Sequence, residues 1–186
     1  MLKTKRNNTL KESNLLSLKT VYLGIGTNKG FREKNISNAI KLLSDIKGIK
    51  LLKVSKMLKN PPQEGIKNGY FLNGAIKLLT SLTSLELLKV CKTIEKRLGR
   101  RIVYGSKGVW ECGRKKNSRV IDLDILFYGS EIINTKELTV PHIMIEKRYF
   151  VLIPLMEIGE KFIHPVFKKN IRELYSELGT GVKRYA

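Results

Sequence analysis

The chain has 186 residues, 42% of them hydrophobic, and 36 Lys and Arg against 16 Asp and Glu give it a formal net charge of +20. One ordinary domain with a real core fits that composition, and no apolar run approaches the roughly 18 residues that a membrane span needs. Cys91 and Cys112 are the only cysteines, without a C-x-x-C pair or a histidine cluster nearby, which excludes a disulfide framework and a structural zinc site.

Residues 1–19 are rich in Lys, Asn and Ser and cluster only Leu15, Leu16 and Leu18, too little for a signal peptide. They read as a flexible basic N-terminal extension on a single domain spanning 20–186, in a cytoplasmic protein. Val21 to Ile25 then forms a buried strand stopped by Gly26 and Asn28. Gly24-x-Gly26 matches neither a dinucleotide fingerprint nor a Walker loop, since the third glycine falls at Gly30 and no G-K-[ST] follows. Ile36, Ala39, Ile40 and Leu43 recur at helical spacing. Residues 49–58 are strand-like and close at Asn60-Pro61-Pro62, and Tyr70 to Leu79 reads as another strand. Thr83 with Glu86 makes a capping box for a helix whose stripe is Leu85, Leu88, Cys91 and Ile94, with Gly99 as its C-cap. A long polar stretch from Arg100 to Asn117 precedes the strongest strand, Val120 to Tyr128.

The order strand-helix-strand-strand-helix-strand is the ferredoxin-like βαββαβ pattern. The expected class is α+β: one antiparallel sheet with helices packed on one face and extra C-terminal elements near Ile132 and residues 144–157, where Pro154 interrupts any helix.

Side chains on a strand alternate faces, so Ile121, Leu123, Ile125 and Phe127 make one apolar face while Asp122 and Asp124 point the other way, about 7 Å apart. Two carboxylates that close repel each other unless a cation lies by them. Mg²⁺ takes carboxylate oxygens together with substrate phosphates, and Arg119 just upstream suits phosphate oxygens. The competing reading is a solvated outer sheet face. His142, in the turn after Val140-Pro141, and Arg148 shortly beyond would suit a triphosphate; as isolated residues, His142 and His164 read equally well as structural.

These residues resemble the 6-hydroxymethyl-7,8-dihydropterin pyrophosphokinase family of folate biosynthesis over about residues 20–165. The resemblance rests on Gly26-Thr27-Asn28, Asn60-Pro61-Pro62, Tyr70-Phe71-Leu72-Asn73, Ile94-Glu95 through Gly99-Arg100, Ser118-Arg119-Val120-Ile121-Asp122-Leu123-Asp124, Leu138 to His142 and Arg148-Tyr149-Phe150. It implies a ferredoxin-like enzyme that uses ATP and two Mg²⁺ ions, passes diphosphate to the pterin and releases AMP. By the same resemblance, Asp122 and Asp124 would hold both metals, with Arg100 and Arg119 the further catalytic residues. Arg100, Arg119, His142 and Arg148 would contact the ATP phosphates, and Glu95 would line the nucleotide side. Phe71 and Phe150 would sandwich the pterin, Asn73 would bond its edge, and backbone near Asn60 and Gln63 would touch it. The partners implied are ATP and the pterin, with no membrane and no specific nucleic acid, and the state expected is a monomer.

Thr27 stands where the family usually has Ser, and Phe71 where Tyr is common. The Arg100–Arg119 interval is long, and Trp110 does not match the family's usual tryptophan. The stretch from Arg101 to Asn117 reads as a lid whose catalytic cation is one of Arg101, Lys107, Arg114 and Lys115. A basic RNA-binding module is the competing class, but its sheet would display aromatics rather than Asp122 and Asp124.

Overall fold

In the computed structural model, which describes residues 18–61, 69–99, 102–105, 108–111 and 119–179, hydrophobic alternation and helical stripes become a sheet with a helical layer on each side. β1 (Lys19–Thr27) leads to α1 (Arg32–Ser44), then β2 (Ile49–Val54), β3 (Leu58–Asn60), β4 (Phe71–Thr80) and α2 (Ser84–Arg97). β5 (Ile102–Gly105) and β6 (Gly108–Glu111) follow, then β7 (Asp122–Tyr128), β8 (Ile133–Asn134), β9 (Thr139–Val140), a 3-10 turn (Ile145–Lys147), α3 (Tyr149–Gly159) and α4 (Ile171–Leu178). The main sheet runs β2-β4-β1-β7, with β3 extending the same edge of β4 as β2, and every pairing is antiparallel. That is the ferredoxin-like order expected.

Several local expectations hold. Thr83 caps α2 in a complete capping box, and Gly99 follows the C-terminal Leu98 with φ +107°, a conformation that glycine adopts without strain. Others are corrected. The strand expected over residues 49–58 is two, because at Ser55 the side-chain hydroxyl, rather than a backbone carbonyl, accepts the N–H of Ala75 at 2.9 Å. The inward stripe of α2 is Leu87, Cys91 and Ile94, while Leu85 in the first turn is 46% exposed. The Arg100–Asn117 stretch carries a hairpin, Ile102 pairing with Glu111 and Gly105 with Gly108. Residues 1–17 of the expected extension lie outside the described residues, and Lys19 already pairs with Thr80 in β1.

Two cores sandwich the sheet. On one face Val21, Leu23, Ile25, Ile76, Leu78, Ile121, Leu123 and Ile125 pack against Ile36, Ala39 and Leu43 of α1 and Leu87, Cys91 and Ile94 of α2. Burial, aided by the charge of Glu95, pushes the Cys91 thiol up to about 12, so it stays protonated and unreactive. On the other face Tyr22, Ala75, Leu126 and Phe127 pack under Leu152, Leu155 and Ile158 of α3 and Ile171 and Leu174 of α4.

Helices on one face only was therefore half the answer. Phe127 also changes sides. A bulge in the β1–β7 ladder, where Tyr22 faces Phe127 and Leu23 faces Ile125, leaves Leu126 as the extra residue. An extra residue breaks the period-two alternation, so Phe127 joins the second core and Tyr128 the first. Pro154 lies inside α3 rather than ending it. Its ring removes only one intrahelical hydrogen bond, and burial of Leu152, Leu155 and Ile158 around it offsets that loss.

Candidate active site

The second face of the sheet is covered only in part. Beyond the α3 and α4 core, the register places Asn73, Gly26 and Asp122 side by side on β4, β1 and β7, and Ala75, Gly24 and Asp124 in the next row of the same face. The central strand thus contributes no side chain beyond Cα, and a cavity of about 450 Å³ opens over a glycine floor. A Cβ at Gly26 would lie 2.7 Å from Asn73 Oδ1, and one at Gly24 would touch Leu126. Gly24-x-Gly26, which matched no nucleotide motif, exists for this floor.

Asp122 and Asp124 form one wall. Arg119 ion-pairs with Asp122, and its backbone is held by Asn28: Arg119 N–H donates to Asn28 Oδ1 at 2.6 Å, and Asn28 N–H donates to the Arg119 carbonyl at 3.1 Å. Burial, then the charge of Asp122, raises the Asp124 pKa, while His142, Lys92 and Arg119 pull it down. Among the described residues no group of three or more His, Cys, Asp or Glu could enclose a metal. Two carboxylates facing open space are nevertheless a fitting donor set for Mg²⁺, which takes its other ligands from phosphates and water.

The opposite wall is apolar and amide-rich. Phe71 at the start of β4 and Phe150 in the first turn of α3 both line the cavity. Asn73 Nδ2 donates to Asn60 Oδ1 at 2.5 Å, so the side chains of the two expected pterin contacts are joined. His142 and Arg148 close the remaining side. The His142 N–H donates to the Leu126 carbonyl at 3.0 Å, so the bulge in β7 also anchors the turn that carries the imidazole. The Arg148 guanidinium lies 6.0 Å from the Phe150 ring.

Of the expected site residues, Arg119, Asp122, Asp124, His142, Arg148, Asn60, Phe71, Asn73 and Phe150 therefore converge on one cavity. Arg100 and Gln63, with Arg101, Lys107, Arg114 and Lys115 of the expected lid, lie outside the described residues. Glu95 does not line the cavity. It is 0% exposed, and its Oε1 accepts the Leu123 N–H at 2.8 Å. β7 is an edge strand, so that N–H has no ladder partner, and Glu95 holds the strand at the residue between the two carboxylates.

Sequence reading missed Lys92, which lines the cavity and sits 3.1 Å from Glu95 on the same face of α2. Its i, i+3 spacing to Glu95 was the available signal. It read Asn28 only as a strand stop and a motif residue, and it passed over Arg32 and Asn35.

A family model described as 7,8-dihydro-6-hydroxymethylpterin-pyrophosphokinase (HPPK) matches residues 22–160. The chain is 38% identical over 172 residues to the folic acid synthesis protein fol1 of Pneumocystis carinii, covering 92% of this chain and 22% of that protein. It is 38% identical over 158 residues to the 2-amino-4-hydroxy-6-hydroxymethyldihydropteridine pyrophosphokinase of Aquifex aeolicus, covering 85% of this chain and 91% of the relative. Among solved structures, wild-type HPPK-DHPS of Plasmodium falciparum with pteroate superposes with a TM-score of 0.66 at 16% identity, over 86% of this chain and 42% of that one. The chain thus spans about a fifth of the fungal relative, nearly all of the bacterial one, and under half of the solved chain.

Proposed function

This chain belongs to the 7,8-dihydro-6-hydroxymethylpterin-pyrophosphokinase family, and from that premise we propose that it transfers diphosphate from ATP to 6-hydroxymethyl-7,8-dihydropterin and releases AMP. The observation that carries the proposal is one cavity with a carboxylate pair and cations on one side and two phenylalanines with two amides on the other. A triphosphate and a flat, hydrogen-bonding heterocycle need those two walls facing each other.

The pterin's hydroxymethyl oxygen attacks the β-phosphorus of ATP, and AMP is the leaving group. Asp122 and Asp124 are the residues that would hold two magnesium ions, whose chemistry is to stabilise charge on the attacking and leaving oxygens. Arg119, fixed by Asn28 and Asp122, directs its remaining donors at phosphate oxygens, a task that suits a planar guanidinium. His142, Arg148 and Arg100 supply further contacts to the phosphates. Phe71 and Phe150 sandwich the pterin, while Asn73, Asn60 and Gln63 read its edge. Glu95 sets the β7 carboxylates at the correct height. No helix among the described residues is long and apolar enough to cross a membrane. We read the protein as a cytoplasmic monomer.

The sheet also argues against the RNA-binding alternative. The face that would stack bases is covered by α3 and α4 on one half and bears Asp122 and Asp124 on the other. The test is product analysis. AMP should form from ATP only when the hydroxymethyl-dihydropterin and Mg²⁺ are both present. Release of ADP, or AMP formation without pterin, rejects the assignment.

A further inference from the structure

The first turn of α1 reaches both walls of the cavity without lining it. Arg32 Nε donates to the Tyr70 carbonyl at 3.0 Å, and its Nη2 donates to the Asn28 carbonyl at 3.1 Å. Asn28 in turn grips the backbone of Arg119 from both sides. Three residues along the helix, Asn35 Nδ2 donates to the carbonyls of Lys29 at 2.9 Å and Val120 at 3.1 Å. The Arg32 guanidinium also lies 4.2 Å from the centre of the Tyr70 ring, which Lys59 approaches to 4.1 Å. Gly69 beside it has φ +102°, and a Cβ there would come within 2.9 Å of Arg32 Nη2.

Two side chains of one helical turn thus tie together the segments after β1, before β4 and before β7. The second leads straight into Phe71, the third into Asp122. A guanidinium bridges two carbonyls with a rigid fork of donors, where an ammonium's donors turn on a flexible stem.

We propose that Arg32 is a positioning residue of the transfer reaction, locking the Tyr70–Phe71 segment against the Asn28–Arg119–Asp122 segment so that the ring wall and the carboxylate wall keep one spacing. The proposal rests on the diphosphate-transfer reading. Neither Tyr70 nor Asn28 lines the cavity, so the effect is geometric and falls on the rate. A displacement of about 1 Å between reacting partners can lower turnover on the order of a hundredfold without preventing binding.

The experiment uses the full chain and the variants Arg32→Ala, Arg32→Lys, Asn35→Ala and Arg32→Ala with Asn35→Ala. It measures kcat, the dissociation constants of the pterin and of a non-hydrolysable Mg·ATP analogue, each alone, and the melting temperature. Arg32→Ala should lower kcat by about ten- to a hundredfold while each ligand alone binds within about threefold of the wild type. Arg32→Lys should recover part of the rate, and the double variant should lose less than the product of the single losses, because both side chains act on the same segments. A folded Arg32→Ala enzyme with kcat within about twofold of wild type overturns the proposal, as does a loss confined to ligand affinity. Should Arg32→Ala fail to fold, Arg32→Lys and Asn35→Ala are judged by the same split between rate and affinity. A wild-type chain that makes no AMP from ATP and the pterin sinks the transfer reading, and this one with it.

Discussion

The outer face of the sheet has two halves built on the same three strands. In one, Tyr22, Ala75 and Phe127 lie under α3 and α4 and almost no solvent reaches them. In the other, reached within a few residues along each strand, Gly24, Gly26, Asn73, Asp122 and Asp124 face a cavity. Strand side chains return to one face every second residue, so the change from packing to chemistry needs only one or two positions per strand. The α3 helix serves both halves. Arg148, Phe150 and Val151 at its start reach the cavity, while Leu152, Leu155 and Ile158 press on the core. The covered half therefore fixes the angle at which the open half receives its substrate-facing residues, and the bulge at Leu126 marks the border on β7.

That division can be tested by damaging each half in turn. Phe127→Ala, in the covered half, should cost about 3–5 kcal/mol of stability, read from denaturant unfolding. Folded enzyme that remains should keep its affinity for a nucleotide analogue. A loss below about 1 kcal/mol would show that α3 and α4 rest loosely on the sheet.

Damage to the open half should look opposite. Asp122→Ala and Asp124→Ala should each lower turnover by at least about a hundredfold with a nearly unchanged melting temperature, since both side chains point away from the apolar face. Near-normal turnover in either variant would separate the carboxylates from the chemistry.

A subtler lesion is Gly26→Ala. Its methyl would meet Asn73 Oδ1 and should weaken pterin binding by about tenfold, the order of one lost hydrogen bond, while nucleotide binding persists. Equal losses for both ligands would mean that the floor is shared rather than divided.

The smallest effect expected is a pH dependence confined to the covered half. His164 is buried beside Phe127, and its Nδ1 accepts the N–H groups of Val166 and Phe167 at 3.2 and 3.3 Å. Burial lowers its pKa, against a weaker opposite pull from Glu146. The fold therefore favours the neutral ring. The stability this contributes is complete above the ordinary imidazole range and is lost as pH falls through the lowered value. The wild type should lose a few degrees of melting temperature on acidification from pH 7 to pH 5, and His164→Gln should lose less. An equal loss in both would place the acid sensitivity elsewhere.

Much of the site was legible before folding, and the reasons differ by residue. Asp122 and Asp124 were readable because a stiff strand converts sequence spacing directly into facing, and Thr83 with Glu86 because a capping box is purely local. Phe127 was misread because a bulge is set by the partner strand, β1, which the local pattern does not contain. Glu95 of α2, expected on the nucleotide side, instead holds the Leu123 N–H of β7. A buried carboxylate that satisfies an edge N–H and one that faces a ligand look alike when only residue type and spacing are known. Arg32 and Asn35 were invisible for a similar reason: the hydrogen bonds that place them among the described residues go to backbone carbonyls, which leave no trace in residue identity.

The sequence by itself determined the element order, the apolar positions Ile121, Leu123 and Ile125 of β7 and the acidic pair, which follow from periodicity, while its motifs carried the resemblance to a diphosphate-transferring family. Only the tertiary structure decided that the glycines of β1 are a floor, that Asn60 pairs with Asn73, that Lys92 joins the cavity, and that one turn of α1 binds three segments together. Those facts depend on strand register and on hydrogen bonds to carbonyls distant in sequence, such as that from Asn35 to Val120, and neither is encoded in any one stretch of chain.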